Sequence, residues 1–239
     1  MIKMNRTVTG VLCGWALAAS GTLLAEALAP IGSQFLFVPK GFDDNDKVEI
    51  VLDGYMPSTC YRQADPTYTV DVAAKLITVQ AMAKVYEGPC LLVLVPYTEV
   101  VNVGSLPKGE YTVKSLGLDG TTLSVAQSTN AGPDDFLYAP VDTVNVTVMP
   151  EQQKIELEIR GRFTNTCMTS DKVTVIDSKD TLEVLPVIKI ADRPDCHEEE
   201  FAYKPMIVEL PWRKAGRYLA HVRSLNGKSA NHVFSVYGE

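Results

Sequence analysis

DGYMPSTC at residues 53–60 and RGRFTNTC at residues 160–167 share a glycine in second position, a threonine next to last and a closing cysteine. Each follows a run in which apolar and polar side chains alternate, KVEIVL at 47–52 and KIELEI at 154–159. Val48, Ile50 and Leu52 fall on one face of the first run, and Ile155, Leu157 and Ile159 on one face of the second, the period-two pattern of a half-buried strand. Gly54 and Gly161 are expected to end these strands at a bulge or a close approach of backbone. Aligning the two cysteines sets an offset of 107, at which Lys47, Val48, Glu49, Gly54 and Thr59 meet Lys154, Ile155, Glu156, Gly161 and Thr166. Further on, Cys90 and Cys196 lie 106 apart, as do Tyr97 and Tyr203, and Gly109-Glu110-Tyr111 returns as Gly216-Arg217-Tyr218 at 107. A period this long suits a duplicated domain rather than a solenoid. The expected organisation is one domain at 28–133 and its repeat at 134–239, joined within the small, polar and proline-rich stretch AQSTNAGPDDFLYAP at 126–140.

The N-terminal residues stand apart from both copies. MIKMNR carries Lys3 and Arg6, an apolar run follows, and Ala25-Glu26-Ala27 supplies small residues for cleavage, so residues 1–27 read as a signal peptide. No later segment is apolar for long enough to span a bilayer. Removing the leader takes away Lys3, Arg6 and Glu26 and shifts the net charge from −7 to −8, divided equally between the two copies. A chain without a basic patch repels a phosphate backbone, which argues against nucleic acid as partner. Export also explains the cysteines: Cys13 leaves with the leader, and the even set Cys60, Cys90, Cys167 and Cys196 reads as disulfides. Four cysteines allow three pairings. If each copy must close its own bridge, Cys60 pairs with Cys90 and Cys167 with Cys196.

Within each copy, turn residues separate seven or eight short strand-like runs, among them LITVQAMAKV at 76–85, CLLVLVPY at 90–97, YTVKSL at 111–116 and TLEVLPVIKI at 181–190. No segment carries a helical stripe. The fold class is all-β, with two tandem immunoglobulin-like antiparallel β-sandwiches and a small barrel as the alternative. Gly54, Pro57 and Cys60, a second cysteine about 30 residues on, and then Leu106, Pro107, Gly109, Tyr111 and Val113 form a pattern that resembles small secreted bacterial β-sandwich domains with one disulfide each. The second copy departs from it, with Thr164 in place of the proline and Trp212 to Ala215 inserted before Gly216. The resemblance implies an exported, disulfide-bonded sandwich and brings no catalytic residues with it.

Chemistry-bearing clusters are few. DCHEEE at 195–200 sets Asp195, His197, Glu198, Glu199 and Glu200 around Cys196, a composition that would suit a divalent metal, but a charged loop beside a disulfide is the simpler reading. DDND at 43–46 reads as a polar turn rather than a calcium loop, since it lacks the spacing of one. His221 lies on the polar face of YLAHVR and reads as facing solvent. The turn LPKG at 106–109 becomes LPWRKAG at 210–216, and its added tip places Trp212, Arg213 and Lys214 together as a candidate binding loop, Trp and Arg being common anchors of interfaces. These readings favour an exported, non-enzymatic binding or structural protein of the bacterial envelope, periplasmic or secreted, with an envelope or extracellular protein as partner and no cofactor, metal or catalytic residue. An inhibitor of an exported hydrolase is the second expectation. An enzyme using a metal at the cluster flanking Cys196 is the third.

Overall fold

The computed structural model of the chain describes residues 26–238. The expected leader lies outside them except for Glu26 and Ala27, which open the first strand. The first half contains β1 (Glu26–Ile31), β2 (Phe35–Phe37), β3 (Phe42–Asp43), β4 (Val48–Met56), β5 (Tyr61–Asp71), β6 (Leu76–Tyr86), β7 (Val95–Gly104), β8 (Gly109–Ser115) and β9 (Leu118–Ala126). The second half contains β10 (Thr143–Met149), a 3-10 turn (Pro150–Gln152), β11 (Lys154–Arg160), β12 (Arg162–Asn165), β13 (Met168–Ser178), β14 (Thr181–Ile190), β15 (Glu198–Ala202), β16 (Met206–Leu210), β17 (Gly216–Ser224) and β18 (Lys228–Val236). Among the described residues there is no α-helix, and the chain is an all-β protein built of packed sheets.

In the first half β2, β4 and β7 form one sheet, and β5, β6, β8, β9, β3 and β1 form the other. β5 lines one edge of β6, while β8 pairs in parallel with Leu76–Val79 and β1 in antiparallel with Ala81–Tyr86. The second half repeats this order, with β10, β11 and β16 in one sheet and β13, β14, β17 and β18 in the other, while β12 and β15 pair as a separate two-stranded ribbon. β17 runs parallel to Thr181–Val184 of β14, and the irregular segment around Tyr138 takes the place of β1, bridging Val187. Each pair of sheets closes on a core of its own, because alternate residues of every strand point the same way. Val48, Ile50, Leu52, Ile77, Val79 and Val113 are sealed in the first core, and Ile155, Leu157, Ile159, Leu182, Val184 and Val222 in the second. Burial of each such side chain contributes about 1.5–3 kcal/mol. The disulfides join Cys60 to Cys90 and Cys167 to Cys196.

The two glycines of the opening motif serve a crossing of chains. A Cβ on Gly161 would lie 2.1 Å from the Pro140 carbonyl oxygen and 2.7 Å from the Tyr203 hydroxyl, and one on Gly54 would meet Gln34 N at 3.2 Å. In both halves a tyrosine fixes the segment that crosses: Tyr203 donates to Pro140 O at 2.9 Å, and Tyr97 donates to Gly32 O at 3.1 Å and bonds Ser33 Oγ at 2.9 Å. The expected strand end at the glycine occurs only in the second half, where β11 and β12 part at Gly161; β4 runs through Gly54 to Met56. CLLVLVPY also differs from expectation, because residues 91–94 belong to no strand and β7 begins at Val95. Pro57 stands opposite this stretch just past the Met56–Val95 pair and has no amide hydrogen to extend the ladder, whereas Thr164 occupies that place beside β15.

The halves stack face to face. β4 is buried on both sides, its inner residues in the first core and its outer ones against β17 and β18. Val51 and Phe37 meet Leu219 at the centre, with Phe35 and Val233 around them. On one side Arg217 grips Asp53 through Nε and Nη2, both at 2.9 Å. On the other, Asn231 Nδ2 donates to Glu49 at 2.8 Å, Arg223 pairs with Asp46 at 3.3 Å and donates to Gly41 O at 2.7 Å, and Lys40 N donates to Glu183 at 2.8 Å. The linker is fastened at both ends: Ser128 N donates to Asp44, and Asp134 accepts from Asn226 N and Gly227 N. Replacing Gly161 with alanine is expected to cost about 3 kcal/mol in urea unfolding and replacing Gly54 about 1 kcal/mol, since overpacking is dearest where the neighbour is backbone. Equal, small losses at both positions would contradict the crossing.

Candidate functional site

The Trp212 loop is an insertion with fixed ends. Leu210 is buried in the second core, and Tyr218 donates its hydroxyl to Lys214 O at 3.0 Å, as Tyr111 does to Pro107 O at 2.7 Å in the shorter turn of the first half. Arg213 points inward rather than outward: it pairs with Asp177 and lies over the Tyr218 ring at 5.4 Å. Its Nε is buried and has no partner among the described residues. Trp212 and Lys214 are exposed, and with Tyr237, Pro150 and Gln153 they line a shallow groove of about 270 Å³. The loop is therefore a braced platform that offers an indole, an ammonium group and a neighbouring phenol.

DCHEEE is dispersed by its own secondary structure. Cys196 is bonded to Cys167, and Glu198–Glu200 run along β15, where neighbouring side chains turn to opposite faces. His197 Nε2 lies 3.1 Å from Glu199, and its Nδ1 lies 3.1 Å from Asp195 O; these contacts hold the imidazole above its usual pKa. The three glutamates border an open cleft of about 500 Å³ with Thr164, Asn165, Met168 and Ile190. No group of three or more His, Cys, Asp or Glu side chains among the described residues is arranged to hold a metal. The carboxylates of DDND are committed to the fold: Asp43 accepts from Asn45 N, Asp44 from Ser128 N and Asp46 from Asp43 N.

His221 does not face solvent. It is wholly buried between the halves, edge-on to Phe42 at 5.9 Å. Asn231 donates to Glu49, so its Oδ1 accepts the proton of His221 Nδ1 at 2.8 Å. His221 Nε2 is left buried without a partner among the described residues. Burial first, and the nearby Arg223 cation second, lower its pKa from 6.5 to about 4. The residues of this interface escaped sequence reading because they occupy the outer, polar positions of their strands. The signal that marks them is an apolar residue on that face, Val51 between Glu49 and Asp53, and Leu219 between Arg217 and His221.

Residues 50–125, from near the start of β4 almost to the end of β9, match the family model of the ORF11 beta-sandwich domain. No curated protein and no solved structure matches the chain. The matched stretch supports a small β-sandwich family for the first half, in agreement with its two sheets and its disulfide.

The buried imidazole makes stability depend on pH. The unfolded histidine takes its proton near pH 6.5 and the folded one only near 4, so the contribution of the neutral ring is complete above about 6.5. It is lost as pH falls toward 4, by at most about 3 kcal/mol. Glu183 and Asp46, whose carboxyls burial pushes up, act in the opposite direction as they are protonated. The difference between wild type and His221→Gln isolates the histidine: denaturation across this range should show the wild type losing more stability toward acid, and parallel pH profiles would refute the placement.

Proposed function

We propose that the chain is an exported, non-enzymatic binding protein of the bacterial envelope, made of two copies of one immunoglobulin-like sandwich, and that it presents Trp212 and Lys214 to a partner protein. The braced loop is the observation that carries this reading. Arg213 is held by Asp177 and Tyr218, and Tyr218 holds Lys214 O, so the loop that carries the exposed indole is held in place before any partner arrives. Preorganisation lowers the cost of binding, and tryptophan is among the commonest anchors of interfaces. The immunoglobulin-like assignment draws on the pairing order common to the two halves and on the tyrosine hydroxyls of Tyr111 and Tyr218, which return to backbone four residues upstream. Export to the periplasm or beyond draws on the leader-like residues 1–27 and on two disulfides, which persist in oxidising compartments.

The test is capture from envelope extract and culture medium with the wild-type chain and with Trp212→Ala, followed by a titration of any partner obtained. Truncating the indole is expected to weaken binding at least tenfold while leaving the urea unfolding curve unchanged, because Trp212 braces neither core. Equal affinity for both forms, or no partner for the wild type, would count against the proposal.

A further inference from the structure

The halves differ at the stretch that follows the second cysteine. Thr59 N donates to Leu91 O at 3.1 Å, and Leu91 N donates to Thr59 Oγ1 at 3.0 Å. In the second half Thr166 N donates to His197 O at 3.1 Å, and His197 N donates to Thr166 Oγ1 at 3.2 Å. These two bonds are the same in both halves, yet Leu91-Leu92-Val93-Leu94, which belongs to no strand, stands where the other half has His197-Glu198-Glu199-Glu200, whose glutamates lie in β15. The position thus tolerates acidic side chains, and folding does not require apolar ones. In the first half the four are exposed by 68, 90, 49 and 67%, a contiguous apolar tip. Isolated exposed leucines need no explanation, but a contiguous run marks a site of contact.

We infer that this tip enters the apolar edge of a lipid bilayer. The inference does not depend on the Trp212 loop having a partner. Four side chains are too few for a stable protein interface, which buries on the order of 1,200 Å² or more, whereas insertion into lipid needs only apolar groups held clear of the protein surface. The tip is held so: Cys60–Cys90 and the Thr59 bonds fix its base, and Pro57 leaves it outside the ladder. Around the base stand Tyr55, across from Pro96, and Tyr86, with Arg62 over its ring at 5.0 Å. Tyrosines of this kind suit the headgroup level. The apolar segment of residues 7–25 also joins the fold at this end, because Glu26 pairs with Tyr86, whose amide donates to Cys60 O.

The test uses the full chain with phosphatidylcholine vesicles, with and without phosphatidylglycerol. With Leu92→Trp, brominated phosphatidylcholine is expected to quench the emission at least twofold more than in the parent chain. Quenching should persist at about 0.5 M salt, where attraction between exposed charges is screened. Leu92→Glu with Leu94→Glu, which copies the other half, should lower co-sedimentation with vesicles at least tenfold while leaving the disulfides and the unfolding midpoint in place. Co-sedimentation that is unchanged by the glutamates, without quenching at position 92, would assign lipid binding to the N-terminal segment alone and overturn the inference. So would dimerisation in solution that the glutamates abolish, because it would assign the tip to a second copy of the chain.

Discussion

The outer face of β4 governs the molecule. A strand at the middle of a sheet normally gives one face to a core and the other to water, but β4 gives both to protein. Its outer face is closed by β17 and β18 of the other half, so the sheets of the two halves form one continuous stack. The contact is sealed at its centre by Val51, Phe37 and Leu219 and oriented by charge at its margins, where Arg217 holds Asp53 and Arg223 holds Asp46. Breaking one partner of a buried pair costs more than the pair contributes, so such contacts act chiefly against misaligned packing. Both ends of the linker are fastened to the halves they join, which leaves little freedom for the halves to swing.

Much of the framework was legible because it is written in period two and written twice. KVEIVL and KIELEI announce their inward residues, and the matched glycines announce a close approach, which proves to be the crossing under Tyr97 and Tyr203. What the pattern concealed is the use of the outward face. Alternation distinguishes the two sides of a strand but says nothing of what covers the polar side, so His221 reads as solvent-facing although it is sealed between sheets. CLLVLVPY reads as a strand for the converse reason: its apolar run looks like one, but Pro57, just past the last pair of the facing β4, has no amide hydrogen to extend the ladder. The Trp212 insertion was visible as a difference in turn length. That Arg213 is spent on bracing depends on Asp177, distant in sequence, and no local pattern reveals it.

The repeated framework also isolates what each half has changed. Both keep the disulfide, the threonine bonds beside it and the tyrosine that returns to its turn. They diverge at the tip after the second cysteine, leucine and valine against glutamate, and at the turn before β8 and β17, compact against extended. Both divergences lie outside the cores, where substitution is cheap in stability.

The way the halves meet has a bearing on assembly. The β2–β4–β7 sheet of one half lies on the β17–β18 side of the other, so the contact joins two different faces of a similar unit and leaves the counterpart of each face open. A contact of that kind does not close on itself and in principle can be continued indefinitely, copy upon copy, into a fibre. Here Glu158 stands on β11 where Val51 stands on β4, and Thr112 stands on β8 where Leu219 stands on β17. A third sandwich arriving in the same manner finds charge and hydroxyl in place of the apolar seal, and a solvated ion pair adds only about 0–1 kcal/mol. The residues that join the first half to the second are thus absent from the two faces that would otherwise join molecule to molecule.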